Sequence, residues 1–258
     1  MFPECSPIVS LRLGDVIDTA VILAAGMATR LDNVLTDRPK GFLELGALPI
    51  VEESVLRLRR AGVRSIIIVT GHLNQHYEGL ARRYPQTIKT VHNEKFETSG
   101  SMYSLYRARD ELSGSPFLLL ESDLIYEPRA LTVLLDGPAD SVLLSGATGG
   151  GDEVYVETHA GRLVAMSKDP SALGSEPAGE LVGISRISPE LFDIMVDYSE
   201  DLFRSTLMVC YETDGLVAAG QRRPIQCSVV DDLVWAEIDD SSQLKRARIE
   251  IYPRLPSV

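Results

Sequence analysis

The sequence predicts an α/β protein: a Rossmann-like, mostly parallel central sheet flanked by helices, with a small antiparallel hairpin region. Three observations carry this expectation. Short apolar runs such as Ala20 to Ala24 end in small residues, here Ala25-Gly26, and such runs form strands buried on both faces. Helical patterns alternate with them, which gives parallel strands joined by right-handed crossovers. From Val154 onward the apolar period becomes two, the spacing of antiparallel strands with one face buried.

The elements follow in order. Residues 1–17 read as an extension ahead of the first strand, Ala20 to Ala24. Val51, Val55, Leu58 and Ala61 share one face of a helix over Pro49 to Ala61, and Gly62 stops it. Ser65 to Thr70 is a second buried strand, Asn74 is expected to cap a helix through Arg83, and Ile88 to Val91 is a third strand. Thr98 or Ser99 is expected to cap a helix reaching Leu112. Pro116 to Leu120 is a fourth strand, followed by a helix over Pro128 to Asp136 and a strand over Ser141 to Ser145 that completes a Rossmann-like half.

Gly146 to Asp152 then reads as a glycine-rich turn or lid. Val154 to Glu157 and Arg162 to Ser167 form a hairpin through His159-Ala160-Gly161. Leu181 to Ile187 is a strand, and Ser188-Pro189-Glu190 opens a helix. Tyr198 to Ala219 reads as helical with breaks. Ile225 to Val229 and Val234 to Glu237 are late strands, and Asp240 or Ser241 caps a last helix, Gln243 to Ile249. Internal repeats, linkers and low-complexity tracts are not evident, so one domain over 1–258 is the expectation.

Composition narrows the class of function. The chain has 258 residues, of which 45% are hydrophobic, enough for a sizeable core. Its net charge of −12 argues against nucleic acid or an anionic membrane as partner. A nucleotide remains possible where local cations and Mg²⁺ gather. Cys5, Cys210 and Cys227 lack metal-ligand spacing and read as ordinary thiols of a reduced, cytoplasmic protein. Every apolar stretch is shorter than the roughly 18 residues of a membrane span, and the N-terminus lacks the basic region of a signal peptide.

Ligands of such sheets collect beyond the carboxyl ends of the strands. At the first of these ends, small residues at Ala25-Gly26 are followed by Arg30 and by Arg38-Pro39-Lys40. Backbone N–H groups there can line phosphates while the cations neutralise them. Glu121-Ser122-Asp123 follows another buried strand, where an acid can be a Mg²⁺ ligand or a solvated loop residue. Lys168 ends the hairpin and can face a phosphate or the solvent. The stretch matches neither the GxxxxGK[ST] nor the GxGxxG phosphate loop.

Leu23-Ala-Ala-Gly-Met-Ala-Thr-Arg30 with Pro39-Lys40 resembles the LAAGxGxR…PK signature of the sugar-nucleotide and choline-phosphate nucleotidylyltransferases, with Ala28 in place of the second glycine. Asn93-Glu94, Glu121-Ser122-Asp123, Lys168 and Trp235-Ala-Glu-Ile-Asp-Asp240 match in order, so the resemblance runs from about residue 20 to 250. Asn93-Glu94-Lys95 with Tyr103 to Leu105 is similar to the choline-phosphate cytidylyltransferases, while Thr98-Ser-Gly-Ser-Met-Tyr-Ser-Leu105 looks more like the 2-aminoethylphosphonate cytidylyltransferases. The resemblance implies Asp123 and Asp239 as Mg²⁺ ligands, Lys40 on the triphosphate, and Arg30 on its β and γ phosphates. It implies Lys168 on the α-phosphate or on the acceptor phosphonate. Leu23, Ala24, Ala25 and Gly26, with Asn93, Ser99, Glu121 and Ser122, would hold the base and ribose of CTP.

For the acceptor, a primary ammonium asks for carboxylates and a quaternary one for an aromatic cage. Glu180, Tyr211, Glu212 and Asp214 supply acids with one aromatic, although any of them can be solvated. The expected activity is therefore Mg²⁺-dependent transfer of CMP from CTP to a small phosphonate, 2-aminoethylphosphonate first. Phosphocholine, another phosphonate or a sugar phosphate are alternative acceptors. A nucleotide-binding protein without turnover is the reading from another class, and intact Lys40, Asp123 and Asp239 weigh against it. A homodimer is an expectation from fold analogy alone.

Overall fold

Every residue of the first apolar run is buried, because this strand lies inside the sheet with neighbours on both edges. The computed structural model describes residues 17–27, 31, 37–112, 114–151 and 153–258. Within them the chain runs β1 (Thr19–Ala24), α1 (Ile50–Arg60), β2 (Ser65–Thr70), α2 (Asn74–Arg83), β3 (Ile88–His92), α3 (Ser101–Arg107) and α4 (Arg109–Leu112). It continues as β4 (Phe117–Glu121), β5 (Leu124–Tyr126), α5 (Arg129–Leu135), β6 (Ser141–Ser145), β7 (Tyr155–His159), β8 (Arg162–Ser167) and β9 (Gly179–Ile187). Last come α6 (Pro189–Phe203), α7 (Val217–Gly220), β10 (Gln226–Val230), β11 (Trp235–Glu237) and α8 (Ser241–Arg246).

Nine strands form one sheet in the order β3-β2-β1-β4-β9-β6-β10-β8-β7, and β5 pairs with β11 in a separate antiparallel ribbon. The first four strands are parallel, as the crossover pattern predicts. Alternation along β1 feeds two cores. Ala20, Ile22 and Ala24 pack toward α1, α2 and α5, while Val21 and Leu23 pack toward α3 and α6. None of the helices among the described residues is long and apolar enough to cross a membrane.

Several local expectations need correction. The strand at Ser141 does not lie beside β4, because β9 inserts between them, antiparallel to both. All residues of β9 after Gly179 are buried, and a strand so apolar belongs inside a sheet. The antiparallel hairpin forms as expected, and β7 and β8 extend the same sheet, turning through Ala160 and Gly161, both at positive φ. Asn74 is the first helical residue rather than the cap, and its side chain donates to Glu78 at 2.9 Å. Thr98 and Ser99 do not cap α3; their hydroxyls donate to the Lys95 carbonyl, and Gly100 is the capping position.

The break in the stretch from Tyr198 to Ala219 is larger than the sequence suggests. Helix α6 ends at Phe203, and the next residues reach across to the start of α3. The Gly100 and Met102 amides donate to the carbonyls of Leu207 and Val209, at 2.8 and 3.0 Å. Amides at a helix start have no partner within the helix, so this segment supplies one. A π-helical turn over Tyr211–Leu216 then leads into α7. Two caps form as expected. Ser188 Oγ accepts from the Leu191 amide. Asp240 makes a full capping box with Gln243, and α8 begins at Ser241.

Candidate active site

The carboxyl ends of β1, β2, β3 and β4 meet at one edge, and there the backbone of Leu23 to Gly26 borders a cavity of about 300 Å³. The loop is fixed by close approach. The Ser122 amide donates to the Leu23 carbonyl at 3.0 Å. Gly71, at the end of β2, leaves no room for a side chain, because a Cβ would stand 2.6 Å from the Ala25 carbonyl oxygen. Pro39 and Lys40 enter the cavity from a short turn. Gly41 packs that turn down, since a Cβ there would meet Tyr77 Oη at 2.9 Å and the Ser122 carbonyl at 3.1 Å.

Lys40 is the hub of the charged groups. Its ammonium bonds Asp123 Oδ2 at 3.1 Å and also bonds Asp239 Oδ1. Burial works against its charge, but attraction by Asp123 and then Asp239 outweighs that cost and lifts its pKa above that of a free lysine. The two aspartates come from distant parts of the sequence. Asp123 follows β4, Asp239 follows β11, and the Ile238 amide donates to the Asp123 carbonyl at 3.2 Å. Gln243 of the capping box accepts from the Asp239 amide at 2.6 Å, so the cap that starts α8 also positions this aspartate.

Two residues before each aspartate stands a glutamate, Glu121 on β4 and Glu237 on β11. Oxygens of Glu121, Asp123 and Glu237 all lie within 4.8 Å of one another. Burial first, then the charges of Glu237 and Glu212, push the Glu121 carboxyl well above the usual range. Burial and the nearby Asp123 do the same to Glu237, and Lys40 and Lys168 only partly offset them. These glutamates stand where the first cavity meets a second of about 80 Å³, and Lys168 borders both. The second cavity reaches on to Glu212, Trp235, Thr148 and Arg246.

The expected nucleotide residues divide as follows. Leu23, Ala24, Ala25, Gly26, Ser99, Glu121 and Ser122 border the first cavity with Lys40, Lys168, Asp123 and Asp239. Asn93 does not; it is fully buried behind the wall, where its Nδ2 donates to the hydroxyls of Ser99 and Ser104, each at 3.0 Å. Its part is to hold that wall. Arg30 lies outside the described residues. Of the expected acceptor residues, only Glu212 borders the second cavity. Glu180 is buried and accepts from the Thr148 amide at 2.9 Å, fixing the glycine-rich loop. Asp214 accepts from the Cys210 amide at 2.8 Å and closes its own turn. Tyr211 is buried with its phenol beside Glu121.

Sequence reasoning missed Glu237, Ser104 and Trp235 as cavity residues. For Glu237 a signal existed: it precedes Asp239 by two in a strand, as Glu121 precedes Asp123. Asp123 and Asp239 suit a hard cation, since both are anchored oxygen donors at one cavity wall, and Mg²⁺ takes one or two carboxylates plus phosphate oxygens.

Comparison with known proteins places this geometry. The model of the MobA-like NTP transferase domain matches residues 20–171. A 2-aminoethylphosphonate cytidylyltransferase of Lancefieldella rimae is 28% identical over 193 residues, 72% of this chain and 74% of that protein. A choline-phosphate cytidylyltransferase of Streptococcus pneumoniae is 33% identical over 96 residues. That match spans 37% of this chain and 41% of the relative, about two fifths of its length. Among solved structures, the inositol-1-phosphate CTP transferase from T. maritima superposes with a TM-score of 0.74 at 18% identity, over 94% of this chain and 99% of the other.

Proposed function

The chain belongs to the MobA-like NTP transferase family, and from that premise we propose that it transfers CMP from CTP to a small phosphonate bearing a primary ammonium, 2-aminoethylphosphonate first. The relative from Lancefieldella rimae supports this substrate pair. One observation carries the choice of acceptor. Glu121, Glu212 and Glu237 converge where a small second cavity opens from the nucleotide cavity. Carboxylates held this close raise one another's pKa, and a cationic ligand relieves the strain.

A phosphonate oxygen attacks the α-phosphorus of CTP in line; its new P–O bond forms as the bond to pyrophosphate breaks. The attacking oxygen is already anionic near neutral pH, so no general base is nominated. The work of the protein is to position two anions and to lower their repulsion. Leu23 to Gly26 present backbone to the nucleotide, Lys40 meets the triphosphate, and Lys168 meets the acceptor phosphonate from its place on both cavities. Asp123 and Asp239 would hold Mg²⁺, which supplies further charge neutralisation to the phosphates. The acceptor ammonium lies among the three glutamates.

Phosphocholine is the second reading, favoured by the Streptococcus pneumoniae relative. A quaternary ammonium prefers several aromatic faces, and Trp235 is the one aromatic at the second cavity among the described residues. Pyrophosphate release from CTP with Mg²⁺ tests both, comparing 2-aminoethylphosphonate, phosphocholine and hydroxyethylphosphonate. Preference for the first is the expected result. Preference for phosphocholine would overturn the acceptor and leave the nucleotide site standing, and release with none of them, with any nucleoside triphosphate, would remove the transferase reading.

A further inference from the structure

The ammonium of Lys40 lies between the same two carboxylates that are assigned to the metal. All three side chains are well buried, with exposures of 18% for Lys40, 12% for Asp123 and 6% for Asp239. A divalent cation would take these oxygens at about 2.1 Å. At Asp123 Oδ2 and Asp239 Oδ1, the oxygens that hold the ammonium, a metal at that distance leaves no space for Nζ between them. At these two oxygens the metal and the ammonium exclude each other.

What can move is also defined. The Lys40 backbone is fixed, with Phe42 N donating to Pro39 O and Leu43 N to Lys40 O, and with Gly41 packed on Ser122. Asp123 and Asp239 are anchored through Ile238 and Gln243. The mobile part is the four-carbon stem of Lys40, whose ammonium borders the cavity lined by Leu23 to Gly26. Released from the aspartates, it stays in the cavity as a cation without a carboxylate of its own and meets the phosphates there.

We propose that Lys40 and a divalent cation are alternative partners of the Asp123–Asp239 pair, so that metal binding hands the Lys40 ammonium to the phosphates of the nucleotide. The proposal rests on the assignment of these aspartates to the metal. It makes Lys40 both a place-holder that offsets part of the charge of two buried carboxylates and a cation delivered when the metal arrives. Metal and triphosphate then bind with mutual reinforcement, since each draws Lys40 the same way.

The test needs no turnover. Mn²⁺, which favours the same oxygen ligands, is titrated into the whole protein without nucleotide and followed by electron paramagnetic resonance. Lys40 accessibility is read in parallel by reductive methylation and peptide mass spectrometry. Saturating Mn²⁺ is expected to raise Lys40 methylation several-fold in the unaltered protein. Lys40→Met, with the competing cation gone, is expected to bind Mn²⁺ at least about tenfold more tightly. Asp239→Asn is expected to lose Mn²⁺ binding and to expose Lys40 without metal. Unchanged Lys40 methylation at saturating Mn²⁺ overturns the exchange, as does a Lys40→Met protein that melts cooperatively yet binds Mn²⁺ no better. Undiminished Mn²⁺ binding by Asp239→Asn overturns the metal assignment itself, and the exchange with it.

Discussion

Two pairs of carboxylates sit on the same two strand ends and live in opposite conditions. Asp123 and Asp239 share the Lys40 ammonium, so their charges are partly compensated within the protein. Glu121 and Glu237 stand two residues earlier; burial pushes both carboxyls upward, joined by the charges of Glu237 and Glu212 at Glu121 and by those of Asp123 and Asp239 at Glu237. Each glutamate is the last residue of its strand, and each aspartate stands two residues on, just beyond the strand end. The aspartate pair already holds one cation, the Lys40 ammonium. In the glutamate pair burial favours the neutral form, and a cationic ligand would favour the charged one. In the function proposed above, the first pair serves metal and phosphate and the second serves the acceptor ammonium.

The comparison can be broken at its strongest point first. Asp123→Ala or Lys40→Ala is expected to lower turnover by about 10²–10³-fold while the melting transition stays cooperative; near-normal pyrophosphate release in both would sink the compensated pair as the reaction site. Next, Glu237→Gln is expected to raise KM for 2-aminoethylphosphonate by about tenfold or more, as loss of a charged hydrogen-bond partner does. It should leave KM for hydroxyethylphosphonate nearly unchanged. Equal effects on both acceptors would show that Glu237 does not read the ammonium.

A smaller effect sharpens the role of the cap. Asp240→Ala removes the capping box of α8 and is expected to cost about 1 kcal/mol of stability in denaturant unfolding. Because Gln243 also holds the Asp239 amide, kcat should fall several-fold with KM for the acceptor unmoved. The smallest effect belongs to Asp214→Asn. Its carboxylate closes a local turn away from both cavities, so acceptor KM should stay within about twofold while stability falls slightly.

The parallel half of the fold was legible because each signal there is local. Apolar runs, small residues at strand ends and cations after a turn are adjacent in sequence, and Leu23 to Gly26, Lys40 and Asp123 indeed gather at one cavity. The acceptor side was less legible because proximity there is made by long-range pairing. Glu180 and Asp214 carry the right charge, but backbone amides already engage them. Glu237 carries the same charge and reaches the cavity, because β11 pairs with β5 and brings it beside Glu121. Composition cannot tell these acids apart; only the register of a strand can. Likewise Asn93 was read as a ligand contact, and it proves to be the strut behind Ser99 and Ser104.

The β5–β11 ribbon has a consequence for how the protein comes to life. Trp235 pairs with Tyr126, and Glu237 with Leu124, across a large sequence separation. Contacts of that kind close late, because the intervening loop must first be brought together. A chain emerging from the ribosome can therefore assemble β1 to β4 and the turn around Lys40 well before Glu237 and Asp239 exist to meet them. Glu237 and Asp239 arrive with that pairing, so the acidic cluster is completed at the end of folding. A nascent chain halted before Trp235 would be shaped for a nucleotide and unable to use it.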